Sequence, residues 1–288
     1  MRASDDSPIL GPLRLGVASV ERSRDFYRAA LGLETREVPG GAELFLPSGD
    51  LLATLEERPG AVPESPAVPG LYHLALRVPH RPALARTFLR LKEAGLPTDG
   101  PVDHGVSEAI YTEDPDETGI EIYRDRSRET WPTRGGHLAM GSRLAPPQDL
   151  LGALAEEMEG PGSTPEMTLG HLHLRVSNLK RSVDFYSSLL PLKVTQEDLP
   201  GAAFLAFGDY HHHLGLNVWS SQGGKPRDPQ RSGLIELSFL FPVPSAFQSW
   251  KDRLLSQGCP ELLSIVPDES WLLVRDPDGW DVRIRQAS

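Results

Sequence analysis

Short runs with an apolar residue at every second position recur along the chain, as in Leu13, Leu15, Val17 and again in Leu172, Leu174, Val176. Side chains alternate faces along an extended backbone, so each run predicts a half-buried strand. Helical periodicity follows: in residues 178–190, Val183, Phe185, Tyr186, Leu189 and Leu190 fall on one face, and Ser177-Asn178 offers a cap. Further short strands are expected at residues 42–46, 51–55, 204–207 and 213–219. The recurring unit reads as βαβββ.

That unit repeats. Residues 11–34 match residues 170–193 through Gly11/Gly170, Val17/Val176, Arg22/Arg181, Ser23/Ser182, Asp25/Asp184, Phe26/Phe185, Tyr27/Tyr186, Leu31/Leu190 and Leu33/Leu192. Residues 70–97 match 233–260 more weakly, through Gly70/Gly233, Leu71/Leu234, Leu74/Leu237 and Pro79/Pro242, and Asp-Pro-Asp at 114–116 recurs at 276–278. The chain is a duplicated half, and each half is two modules. The expected division is a domain over 9–125, a linker over 126–167 and a second domain over 168–286. Within the linker, Trp131-Pro132-Thr133-Arg134-Gly135-Gly136 reads as a loop and residues 147–158 as a connecting helix ending before Gly160-Pro161-Gly162. Trp131 would be poorly placed in solvent, so the linker is expected to pack on the domains. The repeated Arg-Ser-x-Asp-Phe-Tyr sits at helical spacing in both halves, which favours a core role over a catalytic one.

Composition narrows the function. The 288 residues carry 29 basic and 40 acidic side chains, a net charge of −11, which disfavours a nucleic-acid or anionic-membrane partner. A small molecule is the default. The 39% of hydrophobic residues allows a core in each half. Cys259, the single cysteine, excludes an intrachain disulfide; in Gln-Gly-Cys-Pro it reads as a turn residue, and it fits a reducing, cytoplasmic setting. No apolar run approaches the ~18 residues of a membrane span.

Candidate chemistry gathers in residues 70–123. His73 lies on a strand-like run near the start of this stretch and Glu121 on one near its end, with His104, Ser107 and Tyr111 between. A second histidine would complete a 2-His-1-carboxylate set, which leaves coordination positions open on a non-haem iron. Taken singly, each residue has a plainer reading: His73 as a core histidine, Glu121 as a solvated side chain, His104 as loop punctuation. Elsewhere, His171 and His173 share one strand face, and Tyr210-His211-His212-His213 leads into an apolar alternation rather than forming a tag.

The four modules, with Phe-Tyr on the helix and Asp-Pro-Asp before the final strand, resemble the vicinal-oxygen-chelate superfamily of glyoxalase I, fosfomycin-resistance proteins and extradiol ring-cleaving dioxygenases. Within it, Gly-Leu-Tyr-His-Leu-Ala-Leu (70–76), Val-Ser-Glu-Ala-Ile-Tyr (106–111), Gly-His-Leu-His-Leu (170–174) and Tyr-His-His-His-Leu-Gly-Leu-Asn-Val-Trp (210–219) are similar to the bacterial catechol 2,3-dioxygenases of the CatE type. The resemblance covers about residues 9 to 285. It implies an α+β fold of two open β-barrels, each built by two modules, with metal ligands on the first strand of one module and on the first and last strands of its partner.

Chain-order pairing would leave His73 and Glu121 without a first-strand ligand, since Pro12 and Arg14 cannot serve. It would also put Arg283 in a ligand position, where a permanently protonated guanidinium is unsuitable. Crossed pairing, second module with third and first with fourth, gives one barrel the set His73, Glu121 and His171 and the other none. His173 is the neighbour or substitute. A rival set under chain-order pairing is His171, Glu236 and one of His211 to His213. The resemblance further implies Fe(II), with Mn(II) and Zn(II) compatible with the same donors, and His212 as the acid-base residue, with Tyr111 and His104 steadying substrate oxygens. His211 and His213 are left structural or substrate-lining.

The expected function is extradiol cleavage of a catechol or hydroquinone-like aromatic by O2, with a homodimer open to the assembly. A glyoxalase-type isomerase, a thiol transferase and a metal-free protein sequestering an aromatic compound are the alternatives. Two departures stand out: Asp-Pro-Asp-Glu-Thr-Gly replaces the more usual Asp-Pro-Asp-Gly-Asn-Gly of the family, and Asp209 follows Gly208 ahead of the three histidines.

Overall fold

The computed structural model describes residues 6–156, 166–258, 262–265 and 271–287. Cys259, Met158 and Gly160-Pro161-Gly162 lie outside them. Four βαβββ modules are present, their first strands being Leu13–Val17, Gly70–Arg77, Thr168–Arg175 and Gly233–Phe241. In each module the first and last strands pair in parallel, the helix and two intervening strands carrying the chain back to the starting end.

The modules join in crossed fashion. Gly70–Arg77 of the second pairs antiparallel with Thr168–Arg175 of the third, and Leu13–Val17 of the first with Gly233–Phe241 of the fourth. Two curved mixed sheets result, each holding one module from each half of the chain. The helices pack with the sheets around a shared apolar core that includes Leu15, Leu74, Leu172 and Leu237. Among the described residues no helix is long and apolar enough to cross a membrane.

The repeated motifs meet each other within each half. Tyr27 on the helix Val20–Leu31 donates its hydroxyl to Asp114 at 3.0 Å, and Tyr186 on Leu179–Leu189 donates to Asp276 at 3.1 Å. All four side chains are buried. Asp116 and Asp278 accept from Arg22 and Arg181, each at 3.0 Å. Arg-Ser-x-Asp-Phe-Tyr and Asp-Pro-Asp are therefore two halves of one clamp between neighbouring modules. Asn178 caps the third module's helix, accepting from the Arg181 amide.

Glu117 adopts φ 61, a left-handed conformation that glycine occupies freely; Gly279, its counterpart in the second Asp-Pro-Asp turn, has φ 98. Gly119 cannot be replaced as easily, because a Cβ there would stand 2.3 Å from the Tyr72 carbonyl oxygen. The linker is more structured than a loop and one helix. A 3-10 turn Arg128–Thr130 and a small hairpin of Thr133–Arg134 with His137–Leu138 precede Arg143–Leu144, which joins the edge of the second module's sheet. The expected connecting helix is shorter, Pro147–Leu151 followed by the 3-10 stretch Gly152–Glu156. Trp131 does pack inward, donating its indole N–H to the Arg126 carbonyl.

Candidate metal centre

The crossed sheet brings His73, Glu121 and His171 together by strand register. Tyr111, Glu121, Ala75 and His171 stand opposite one another on four successive strands, and Gly119, His73, His173 and Gly215 form an adjacent row. Residues directly opposite share a face, so both rows look into one cavity. Ala75 is small, and leaves room between Glu121 and His171.

The Glu121 Oε2 lies 3.1 Å from Nε2 of His73 and 3.3 Å from Nε2 of His171. All three side chains are buried, and one ligand atom from each lies within 4.8 Å of the others. The His73 Nε2 has no hydrogen-bond partner despite its closeness to the carboxylate. An orphaned buried nitrogen beside a carboxylate oxygen and a second imidazole fits a divalent cation held among them. Burial drives the His171 pKa down to about 4 against the pull of Glu121, so its ring is neutral and offers a lone pair. Burial works against the Glu121 carboxylate too, but His171 and His73 outweigh it and hold its pKa well below the ordinary range.

His173 does not join the triad. Its Nε2 lies 3.1 Å from the Asn217 amide nitrogen, which can only donate, and its ring packs against Gly215. The rival set built on Glu236 is overturned by the crossed pairing. Glu236 sits in the other sheet, where Arg283 binds it through two bonds of 2.8 Å and Arg14 approaches to 3.5 Å. A guanidinium there supplies the positive charge that the buried carboxylate requires.

The triple histidine occupies a turn rather than a strand start, the strand beginning at Leu214. His212 lines the cavity, and its ring centroid is 4.1 Å from that of His171. Its Nδ1 lies 2.7 Å from Nδ1 of His211, whose Nε2 is 2.9 Å from Asp125. Burial lowers the His212 pKa well below its ordinary value, keeping the ring uncharged. His213 turns aside and accepts from the Phe207 amide.

Across the cavity, Nε2 of His104 lies 2.7 Å from the Tyr111 hydroxyl and Nδ1 lies 2.8 Å from the Gly141 carbonyl oxygen. A carbonyl only accepts, which places a proton of His104 on Nδ1, while Nε2 and the Tyr111 hydroxyl share the second hydrogen bond. Burial and the neighbouring Glu121 raise the Tyr111 pKa well above its usual value, so it remains a phenol.

Several cavity residues carried no sequence signal. Met140 to Ser142 come from the linker, which crosses the cavity as a strap. Gln196 of the third module pins it, accepting from the Met140 amide at 2.9 Å and donating to the Met140 carbonyl at 3.2 Å. Leu199, Phe204, Trp219 and Tyr72 complete an apolar wall. The whole cavity measures about 820 Å³.

The Glyoxalase/Bleomycin resistance protein/Dioxygenase superfamily matches this chain over residues 9–122 and 168–284. A catechol-2,3-dioxygenase of Bacillus subtilis (strain 168) is 36% identical over 274 residues, 93% of this chain and 93% of that protein. A biphenyl-2,3-diol 1,2-dioxygenase 3 of Rhodococcus globerulus matches a shorter stretch, 37% identical over 67 residues, 23% of this chain and 35% of that one. Among solved structures, glyoxalase I from Zea mays superposes with a TM-score of 0.59 at 18% identity, covering 98% of this chain and 93% of that one. That likeness is one of fold.

Proposed function

The chain belongs to the Glyoxalase/Bleomycin resistance protein/Dioxygenase superfamily, and from that premise we propose that it is an extradiol ring-cleaving dioxygenase, an oxidoreductase that opens a catechol-type aromatic with O2. The reading draws on the 36% identity to a catechol-2,3-dioxygenase across nearly the whole of both chains. The observation that carries it is the company of the triad: His212 on one side, Tyr111 bonded to His104 on the other. An isomerase or a thiol transferase has no need of both groups.

In this reading His73, Glu121 and His171 hold a divalent metal, Fe(II) foremost, with Mn(II) and Zn(II) open to the same nitrogen and oxygen donors. Bound iron supplies Lewis acidity and the one-electron chemistry that lets O2 react with an aromatic ring. The remaining work belongs to the side chains. His212, neutral and aligned on the cavity wall, takes a proton from a catechol hydroxyl and returns it after the ring opens. Tyr111, a phenol bonded to His104 and beside Glu121, offers its oxygen to the proton of a second substrate hydroxyl. His104 then extends the path for that proton, braced by Gly141 of the strap. His73, Glu121, His171 and His212 are themselves buried, which strengthens each of these polar contacts.

Anaerobic loading with Fe(II), followed by admission of air and a panel of catechols, tests the proposal. A yellow ring-opened product is expected. Stoichiometric iron with no ring opening of any catechol would overturn it in favour of an isomerase, a transferase or a binding protein on the same scaffold.

A further inference from the structure

The cavity is larger than one six-membered ring requires. At about 820 Å³ it stands in the upper part of the range, ~300–1,000 Å³, in which pockets enclose drug-sized ligands. The surplus room has a distinct lining. Tyr72 and Trp219 are 41% and 49% exposed, and their rings meet edge to face with centroids 5.6 Å apart. His173 braces both, at 5.2 and 5.5 Å. The Trp219 indole N–H is already spent on the Pro200 carbonyl at 3.0 Å, so the polar edge is satisfied while half of the side chain stays open. A rigid aromatic wall of this kind gains by covering its face with apolar surface.

The charges on the wall point the same way. Among the described residues no lysine or arginine lines the cavity, whereas the exposed carboxylates of Asp99 and Glu113 do. His104, an imidazole, is already engaged by Tyr111 and Gly141. Away from the metal, a carboxylate on the substituent side of the substrate would meet two like charges and no basic side chain, which is how a site rejects a competitor.

Resting on the dioxygenase reading, we propose that the substrate is a catechol bearing an uncharged apolar substituent that lies against Trp219 and Tyr72, and that ring-carboxylated catechols are excluded. The preference is set by Trp219 and Tyr72 through contact and by Asp99 and Glu113 through charge.

Isopropyl and carboxylate groups have nearly the same shape, so matched pairs separate charge from size: 3-isopropylcatechol with 2,3-dihydroxybenzoate, and 4-isopropylcatechol with 3,4-dihydroxybenzoate. Binding is read as tryptophan emission of the Zn(II)-loaded protein, where no oxidation competes, and kcat/KM is read on the Fe(II) enzyme. In at least one pair the isopropyl compound is expected to bind about tenfold or more tightly than its carboxylate partner, and more tightly than catechol itself. Trp219→Ala should bring the isopropyl-to-catechol ratio of kcat/KM toward one, and the Asp99→Asn, Glu113→Gln double variant should relieve the rejection of the carboxylates. Equal binding of both members of each pair, or a carboxylate preference, overturns the inference. If the catechols are opened without discrimination, the dioxygenase reading stands and this one falls. If the binding order holds but no catechol is opened, the reverse is true.

Discussion

The Nδ1 atoms of His211 and His212 lie 2.7 Å apart, and one proton must sit between them. Its owner follows from Asp125. Burial alone would push the Asp125 pKa up, but the His211 contact, Arg77 and Tyr210 outweigh it and keep the carboxylate ionised. An ionised carboxylate only accepts, so Nε2 of His211 carries a proton, and a ring with that single proton has its Nδ1 lone pair free to accept from His212. The chain thereby holds His212 as the Nδ1–H tautomer, with its free lone pair on Nε2.

His211→Phe keeps the ring against Tyr210 but removes the acceptor that fixes the tautomer. The expected result is a fall in kcat of about 10- to 100-fold, a fraction of what a general acid-base residue contributes, with KM and bound metal little changed. Steady-state kinetics beside metal analysis checks it. Loss of metal in step with kcat would show that His211 acts only as packing for His171.

Replacing any one of His73, Glu121 and His171 with alanine should take the purified protein from one bound metal per chain to well below that, measured by elemental analysis after dialysis. His173→Ala should retain the metal, since its nitrogen is committed to Asn217. If His173→Ala empties the site while His171→Ala does not, the two histidines have exchanged roles.

Arg283→Met should cost about 1–3 kcal/mol of stability, less than the ~3–5 kcal/mol for breaking a fully buried ion pair, because the Arg283 side chain is 27% exposed while that of Glu236 is 5% exposed. Chemical denaturation reads the cost. Adding Glu236→Gln should recover part of it, as removing both charges is milder than stranding one. Metal content should not move, since the triad stands in the other sheet.

Much of this architecture is legible from the residues. Leu172-Leu174-Val176 and the Phe185-Tyr186 helix declare strand and helix through periods set by local geometry, and the duplicated motifs declare the modules. Crossed pairing is favoured once the family resemblance assigns the ligand positions, since Arg14 and Arg283 suit a metal poorly, but Glu236 with His171 keeps chain-order pairing open until the strand pairing itself is known. What stays hidden depends on contacts distant in sequence. Gln196 reaches Met140 across 56 residues, with no pattern in either segment to announce it. Trp219 reads as the end of a strand, yet the strand stops at Asn217 and the indole turns to the cavity rim. Asp125 looks like the tail of a module, although it anchors His211, Tyr210 and Arg77 at once.

The paired clamps make stability depend on pH in an unusual direction for aspartates. Asp276 accepts from the amides of Asp278 at 2.8 Å and Trp280 at 3.0 Å, yet burial dominates and its pKa is pushed up to about 7. Asp114, its counterpart, is pushed up to about 6, again by burial. Unfolded aspartates titrate near ~3.9. Between roughly pH 4 and 7 the folded chain therefore holds protons that the unfolded chain has released, and stability falls as pH rises through that window. Below it both states are protonated and nothing is lost; above it the loss is complete. Each pKa unit corresponds to about 1.4 kcal/mol, so Asp276 alone accounts for a few kcal/mol at most. Asp276→Asn keeps an oxygen for the two amides and presents an amide donor to the Tyr186 hydroxyl, without a charge to bury. In metal-free protein, so that ligand titration does not intervene, the drop in unfolding free energy from pH 5 to pH 8 should be smaller in Asp276→Asn than in the parent by about 1–3 kcal/mol. Parallel pH curves for the two proteins would mean that Asp276 is ionised in the fold, with the Asp278 and Trp280 amides outweighing burial.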